Sequence, residues 1–173
     1  MPRYDIPKAA PEPLRLVQSF VNSVDLEHDR DWLDTWFEEE QGMRATAPEL
    51  ERAREMREAL RELLYANNGQ KIGGDPYIAL GAAADAARLT LDLRSPRLTA
   101  RAAGVDGALG RVLAVVFTAM ADGTWQRLKA CRNHGCRWSF YDYSRNRSAS
   151  WCSMQLCGNR TKTRSYRRRH ATA

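Results

Sequence analysis

Cysteine is scarce in this 173-residue chain: there are four, and all fall between positions 131 and 157. In a reducing compartment such thiols stay unpaired, so a disulfide framework is not expected, and the clustering points to metal. Long apolar runs are also missing. The longest, Leu113 to Met120, is interrupted and falls well short of the roughly 20 residues that span a bilayer. The start, MPRYDIPKAAPEP, carries charges and prolines where a secretory signal needs an apolar centre. A cytoplasmic protein with no membrane partner is the expectation. Histidine occurs three times, as His28, His134 and His170, too scattered for a histidine-based catalytic set. No Walker loop, Rossmann glycine pattern, nucleophile elbow or zinc-protease motif occurs, so an enzyme is not expected. Solenoid-length repeats and low-complexity linkers are absent as well.

With 43% hydrophobic and 28% charged residues, the composition suits a folded globular chain of one domain, or a medium domain with a small appendage. The net charge of +6 hides an asymmetry. Residues 124–173 hold 12 Lys or Arg against a single acid, Asp142, whereas residues 1–123 hold 15 bases against 20 acids. The two parts are built for different partners, and Gly123 is the expected boundary.

Four prolines in residues 1–13 predict an irregular arm. Leu16, Val17, Phe20, Val21 and Val24 then recur at helical spacing, predicting a helix over about 13–24. Trp32, Leu33, Trp36 and Phe37 mark a second, short helix ending at Gly42. Thr46, Pro48 and Glu49 open a third, by a capping-box pair with proline in the first turn, and Asn67, Asn68 and Gly69 stop it. Asp75-Pro76 begins another helix through about Ala86. Near 88–102 the period changes to two: Leu89, Leu91 and Leu93 face Leu98, Ala100 and Ala102 across a turn at Ser95-Pro96, predicting a hairpin. A last long helix is expected over about Gly107–Ala121. Residues 14–123 thus form a mainly helical domain with a small β-hairpin, and residues 124–173 an appended module. The whole is an α+β chain.

The cysteines read C-x4-C-x15-C-x4-C from Cys131 through Cys136 and Cys152 to Cys157. Two close pairs separated by a hairpin-length stretch suit tetrahedral zinc, each pair supplying two sulfurs from one turn. The polar intervening residues argue against four free cysteines in an apolar core. Asn133, His134, Gly135 and Gly158 suit the tight turns whose amides hydrogen-bond to thiolates. Four thiolates close the site, and Asp142 is the one carboxylate nearby, so the zinc is expected to be structural, replacing a core that so small a module cannot build.

The segment W-C-S-M-x-x-C-G-N-R at Trp151–Arg160, preceded by A-C-R-N-x-x-C-R-W-x-F-Y-D at Ala130–Asp142, closely resembles the CGNR zinc finger of bacterial proteins. In that family the finger usually follows an N-terminal domain of the ABATE type, described as a stress-induced transcription regulator. Residues 14–122, including F-V-N-S at Phe20–Ser23, resemble that domain. The resemblance implies a C-terminal treble-clef-like or ribbon-like finger and a role in transcription regulation.

Arg145 and Arg147 lie in the turn-rich SRNRS, and Arg160, Lys162, Arg164, Arg167, Arg168 and Arg169 follow the last cysteine. A helix starting at the zinc would mount these charges on a rigid base for the major groove or phosphate backbone. A solvated basic tail is the plainer alternative. DNA is the favoured partner, bound by one protomer or a homodimer; RNA remains an alternative. Among the aromatics, Trp138 and Phe140 are assigned to the module's own core, Tyr143 and Tyr166 to nucleic acid. Asn22, Ser23, Asp25, His28 and Asp31 form a polar cluster after an apolar helix. They can line a small-molecule pocket or serve as helix caps. A third reading makes the finger purely structural, docked to its helical partner.

Overall fold

The computed structural model describes residues 8–163. Five helices and three antiparallel strand pairs follow one another as α1 (Leu14–Val21), β1 (Val24–Asp25), β2 (Arg30–Asp31), α2 (Leu33–Gln41), α3 (Ala47–Asn67), α4 (Pro76–Ala86), β3 (Leu89–Asp92), β4 (Arg97–Ala100), α5 (Gly104–Asp122), β5 (Leu128–Ala130) and β6 (Ser139–Tyr141). A single 3-10 turn at Trp125–Arg127 separates α5 from β5, and a π-helical turn at Met154–Gly158 runs on as helix through residue 163.

Local chemistry explains most of these boundaries. At the start of α3 the Glu49 carboxylate accepts from the Thr46 amide at 2.7 Å and from its hydroxyl at 2.6 Å. Asp75 caps α4 by accepting from the Tyr77 amide at 2.9 Å. α5 ends where Gly123 turns left-handed at φ 78°. The expected hairpin forms, but its register is shifted by two residues: Leu89 stands opposite Ala100 and Leu91 opposite Leu98, because the turn spans residues 93–96, which takes Leu93 out of the ladder and leaves Ala102 beyond β4. α1 stops at Val21 rather than 24, because Asn22 and Ser23 turn the chain into the short pair β1–β2, which the sequence did not announce. α5 starts at Gly104, three residues before the expected position.

α3 and α5 run parallel: Arg52 pairs with Asp106 at their starts, and the Asn67 side chain donates to the Trp125 carbonyl at their ends. α4 packs against both. The β3–β4 hairpin lies so close on α5 that a Cβ at Gly110 would come within 2.7 Å of the Ala87 and Ala100 Cβ atoms. Between the helices sits the core, with the Phe20 and Trp36 rings in tilted contact, centroids 5.0 Å apart, and Val17, Leu33, Phe37, Met56, Leu60, Leu64 and Val112 fully enclosed. The Trp36 indole N–H finds the Ser19 hydroxyl at 2.9 Å, so burying it leaves no orphan donor. α5 is long and apolar enough in composition to cross a membrane, which the short Leu113–Met120 run conceals. Half of it is buried, its Val105, Leu109, Val112 and Val116 stripe filling the same core.

That core does not stop at the end of the helical segment. Leu128, Ala130 and Tyr141, from the β5–β6 pair, belong to it. Cys131, Phe140, Cys152 and Cys157 form a second, smaller cluster with Trp138 and Trp151 packed against it.

Candidate metal centre

β5 and β6 are adjacent antiparallel strands whose connecting loop carries Cys131 and Cys136. The Cys136 and Arg137 amides both donate to the Asn133 carbonyl, and Arg137 is left-handed at φ 46°, which folds this loop into a tight knuckle. The second pair comes from the segment after residue 150. Ser153 caps the π-helical turn through its hydroxyl, and the Cys157 and Gly158 amides close on the Ser153 carbonyl at 3.0 Å each. Cys152 therefore enters from the loop and Cys157 from the first turn of a helix.

All four sulfurs lie within 4.8 Å of one another, and Cys152 Sγ stands 3.7 Å from both Cys136 Sγ and Cys157 Sγ. Four sulfurs at about 2.3 Å from one ion must be about 3.8 Å apart along each tetrahedral edge, so the observed spacing fits zinc. The thiols also need a cation electrostatically. Hydrogen bonds from the Cys136 and Cys152 thiols hold Cys131 far below the ordinary thiol range, and the same contacts push Cys136 and Cys152 above it. Alone the cluster shares its protons; four thiolates coexist there only around a metal. The Asn133 and Cys152 amides donate to the Cys131 sulfur, the Trp138 amide to Cys136, and the Asn133 side chain to Cys157 Sγ at 3.6 Å. These residues hold one structural zinc. Four protein ligands leave it no open position for substrate or water.

Over residues 14–124 the chain matches the family ABATE, whose description reads "Putative stress-induced transcription regulator", and over residues 127–170 the family "CGNR zinc finger". The chain belongs to the ABATE family. Its zinc site is that of the CGNR finger, and the two follow one another in that order along the chain. Neither is an enzyme family. No curated protein matches the chain.

The motif residues of this ABATE protein do distinct jobs. Cys157 is a ligand. Gly158 packs where a Cβ would meet the Met154 sulfur at 2.8 Å. Asn159 is exposed, and Arg160 reaches back across the molecule to pair with Glu27 in the turn between β1 and β2.

Around the site, charge is consumed more than displayed. The Lys129 ammonium, 4% exposed, donates to the Asp142 carboxylate at 2.7 Å and to the Arg147 and Ala149 carbonyls. Asp142 is fully buried and also accepts from the Ser144 and Ala149 amides. Burial alone would raise its carboxyl, but Lys129 and Ser144 outweigh that and hold it at about 2. Arg127 donates to the Asp142 and Ser144 carbonyls, Arg132 to that of Asn68. Arg137 pairs with Glu62 and lies 4.5 Å over the Tyr65 ring.

Of the expected nucleic-acid residues, Arg145, Arg147, Arg160 and Lys162 are exposed. Arg147 donates to Gln126 at 3.0 Å. Arg164, Arg167, Arg168 and Arg169, with Tyr166, lie outside the described residues. Phe140 is buried in the finger's own cluster and Trp138 packs against it, while Tyr143 is 64% exposed and donates to the Ala9 carbonyl at 2.7 Å.

The polar cluster on the helical side divides in two. Asn22 is fully buried, accepting from the Ser139 amide at 2.7 Å and donating to the Ser139 carbonyl at 2.9 Å. Buried Ser23 donates to the Phe20 carbonyl and accepts from Arg57. Asp25 and His28 meet each other on the surface at 2.7 Å, where Asp25 also accepts from the Glu27 and His28 amides as a turn cap. Gln18 joins Asn22 by donating to the Ser139 carbonyl, and Asn68 donates to the Ala130 and Ser150 carbonyls. The fully buried Arg61 donates to the Val21 and Arg137 carbonyls. Gln18, Asn67, Asn68 and Arg61, the residues that seat the finger on the helices, carry no motif; two adjacent asparagines at the end of α3 read as a helix stop.

Proposed function

We propose that this protein is a zinc-dependent, DNA-binding transcription regulator of the bacterial cytoplasm, in which the helical domain senses a signal or directs assembly and does no catalysis. The supporting observation is where the finger's bases go. Arg127, Lys129 and Arg137 serve the fold, whereas Arg145 and Lys162 stay exposed, and Lys162 lies on the short helix whose first turn carries the zinc ligand Cys157. The sequence continues from that helix into Arg164, Arg167, Arg168 and Arg169. A helix anchored by a metal at its first turn can hold such charges against phosphates without the entropy cost of ordering a free tail.

Fluorescence anisotropy of the zinc-loaded full chain with labelled duplex DNA tests this. Affinity should fall with salt at a logarithmic slope of about −0.9 per phosphate neutralised. Replacing Lys162, Arg164, Arg167 and Arg168 together by Ala should weaken binding by at least about tenfold and flatten the slope. No duplex binding at low salt sinks the proposal, and preference for single-stranded or structured RNA in direct competition reassigns the finger to RNA.

A second reading has its own support in the buried contacts through Asn22, Asn68 and Arg61: the finger completes the helical fold and binds nothing. On that reading the fourfold variant keeps every activity of the parent.

A further inference from the structure

Four of the 15 bases in residues 1–123 fall in residues 88–101, RLTLDLRSPRLTAR, beside one of the 20 acids. The β3–β4 hairpin is therefore basic on a domain that is otherwise acidic. Its two faces differ, as alternation along paired strands requires. Leu89 and Ala100 turn toward α5, close against Gly110. Along that face exposure climbs from half-buried Leu89 to 55% at Leu91, and Leu93 in the turn reaches 81%, so the tip projects past the helix that seats its base. The opposite face carries Thr90, Asp92, Arg97 and Thr99 and no apolar side chain. The base is firm: the Arg101 and Ala102 amides both donate to the Ala87 carbonyl at 3.1 Å, and the Arg101 Nε–H and the Thr99 hydroxyl each meet the Thr90 hydroxyl at 3.2 Å. At the tip Arg94 and Arg97 are exposed, and neither side chain has a hydrogen-bond or ion-pair partner among the described residues.

We propose that this hairpin is a second contact with duplex DNA, Arg94 and Arg97 taking phosphates while Leu93 and Pro96 at the tip reach into a groove. The inference rests on the DNA-binding reading above and adds to it a site on the helical domain. Charge selects an anionic partner, and the shape of the patch selects nucleic acid. A two-stranded ribbon is narrow enough to lie in a DNA groove, and Leu or Pro side chains can wedge between base steps. All four cations are arginine, whose planar fork pairs with two phosphate oxygens at once. A lipid surface needs an apolar face, and here one face is seated on α5 at its base while the other is polar. Mounting the arginines on a seated hairpin also spares the entropy of ordering them.

Anisotropy of the zinc-loaded full chain with labelled duplex separates this inference from the reading it rests on. Replacing Arg94 and Arg97 together by Ala should weaken binding by at least about tenfold and flatten the logarithmic salt slope by about 1.8, two phosphates at about 0.9 each. Zinc content and thermal midpoint should match the parent, since both side chains are exposed. Removing Arg30 and Arg44, two exposed arginines elsewhere on the domain, should leave the slope near the parent's. Leu93→Ser should weaken binding at unchanged slope, because an apolar contact releases no counterions. If the Arg94 and Arg97 double variant binds no worse than the Arg30 and Arg44 one while the fourfold finger variant is weakened, the hairpin proposal is overturned and the finger reading stands. If instead the hairpin variant is weakened and the fourfold variant binds like the parent, the hairpin proposal stands and the finger reading fails. A parent that binds no duplex sinks both, and a Leu93→Ser protein that binds like the parent overturns the groove contact. Binding to anionic phospholipid vesicles that the two hairpin substitutions abolish, with duplex affinity untouched, would make the hairpin a lipid-facing element instead.

Discussion

Asp142 is the one acid in the basic third of the chain, and its isolation has a structural cause. Its carboxylate is fully buried, holds the Lys129 ammonium, and ties down the Ser144 and Ala149 amides. The loop leading from β6 to Cys152 is therefore pinned by one side chain. Asp142→Ala leaves an ammonium buried without its partner, a change that costs about 3–5 kcal/mol. Chemical denaturation of the zinc-loaded protein should show a loss of that size. The pH dependence has a defined sign: the carboxyl is depressed from 3.8 to about 2, so its contribution is complete above 3.8 and is lost as pH falls toward 2. Zinc release requires protonation of thiolates instead, so an acid titration followed with a metal indicator should show the ion leaving above that window. Asn22 works by hydrogen bonding alone. Asn22→Ala strands the buried Ser139 amide and leaves the Ser139 carbonyl to Gln18 alone, and about 1–3 kcal/mol should be lost in the same assay, with the zinc content of the native protein unchanged.

At the scale of elements, α2, α3, α4, α5 and the β3–β4 hairpin were legible because each is punctuated by residues that act locally: Gly42, the Thr46–Glu49 box, Asp75-Pro76, the alternating leucines, Gly123. The metal ligands were legible for the same reason, since paired thiols in short turns need no distant partner. What stayed hidden is what distant residues decide. Asn22 and Asn68 look like cap residues in sequence, and their amides instead bridge to strands and loops more than 60 positions away. Net charge misled likewise, because Arg127, Lys129 and Arg137 raise the count while they are engaged inside the molecule. Gly123 allows a direct check of the local logic. It joins α5 to the 3-10 turn at φ 78°, a region costly to a residue with a Cβ. Gly123→Ala should lower stability by about 1–2 kcal/mol without altering zinc content, as read from a denaturant melt beside a metal assay.

For the molecule as a whole, the zinc site and the helices do not stand apart. β5 sits beneath α3 with Leu128 and Ala130 in the helical core, while Cys131, the next residue, binds the metal. Tyr141 of β6 enters the same core, and Ser139, two residues before it, receives Asn22 and Gln18. A knuckle without its ion cannot keep four crowded sulfurs together, and the strands that end in it carry core side chains with them. Zinc loss should therefore propagate into helices that contain no ligand. Removing the metal with a chelator should lower the midpoint of the far-ultraviolet helical melt by at least about 10 °C, since each kcal/mol is worth about 2–4 °C at this chain length. With metal bound, helix signal and zinc release should follow one transition. A helical melt indifferent to chelation would mean that β5 keeps its place without the finger, and that the polar contacts through Asn22, Asn68 and Arg61 position the zinc module without joining it to the fold's cooperativity.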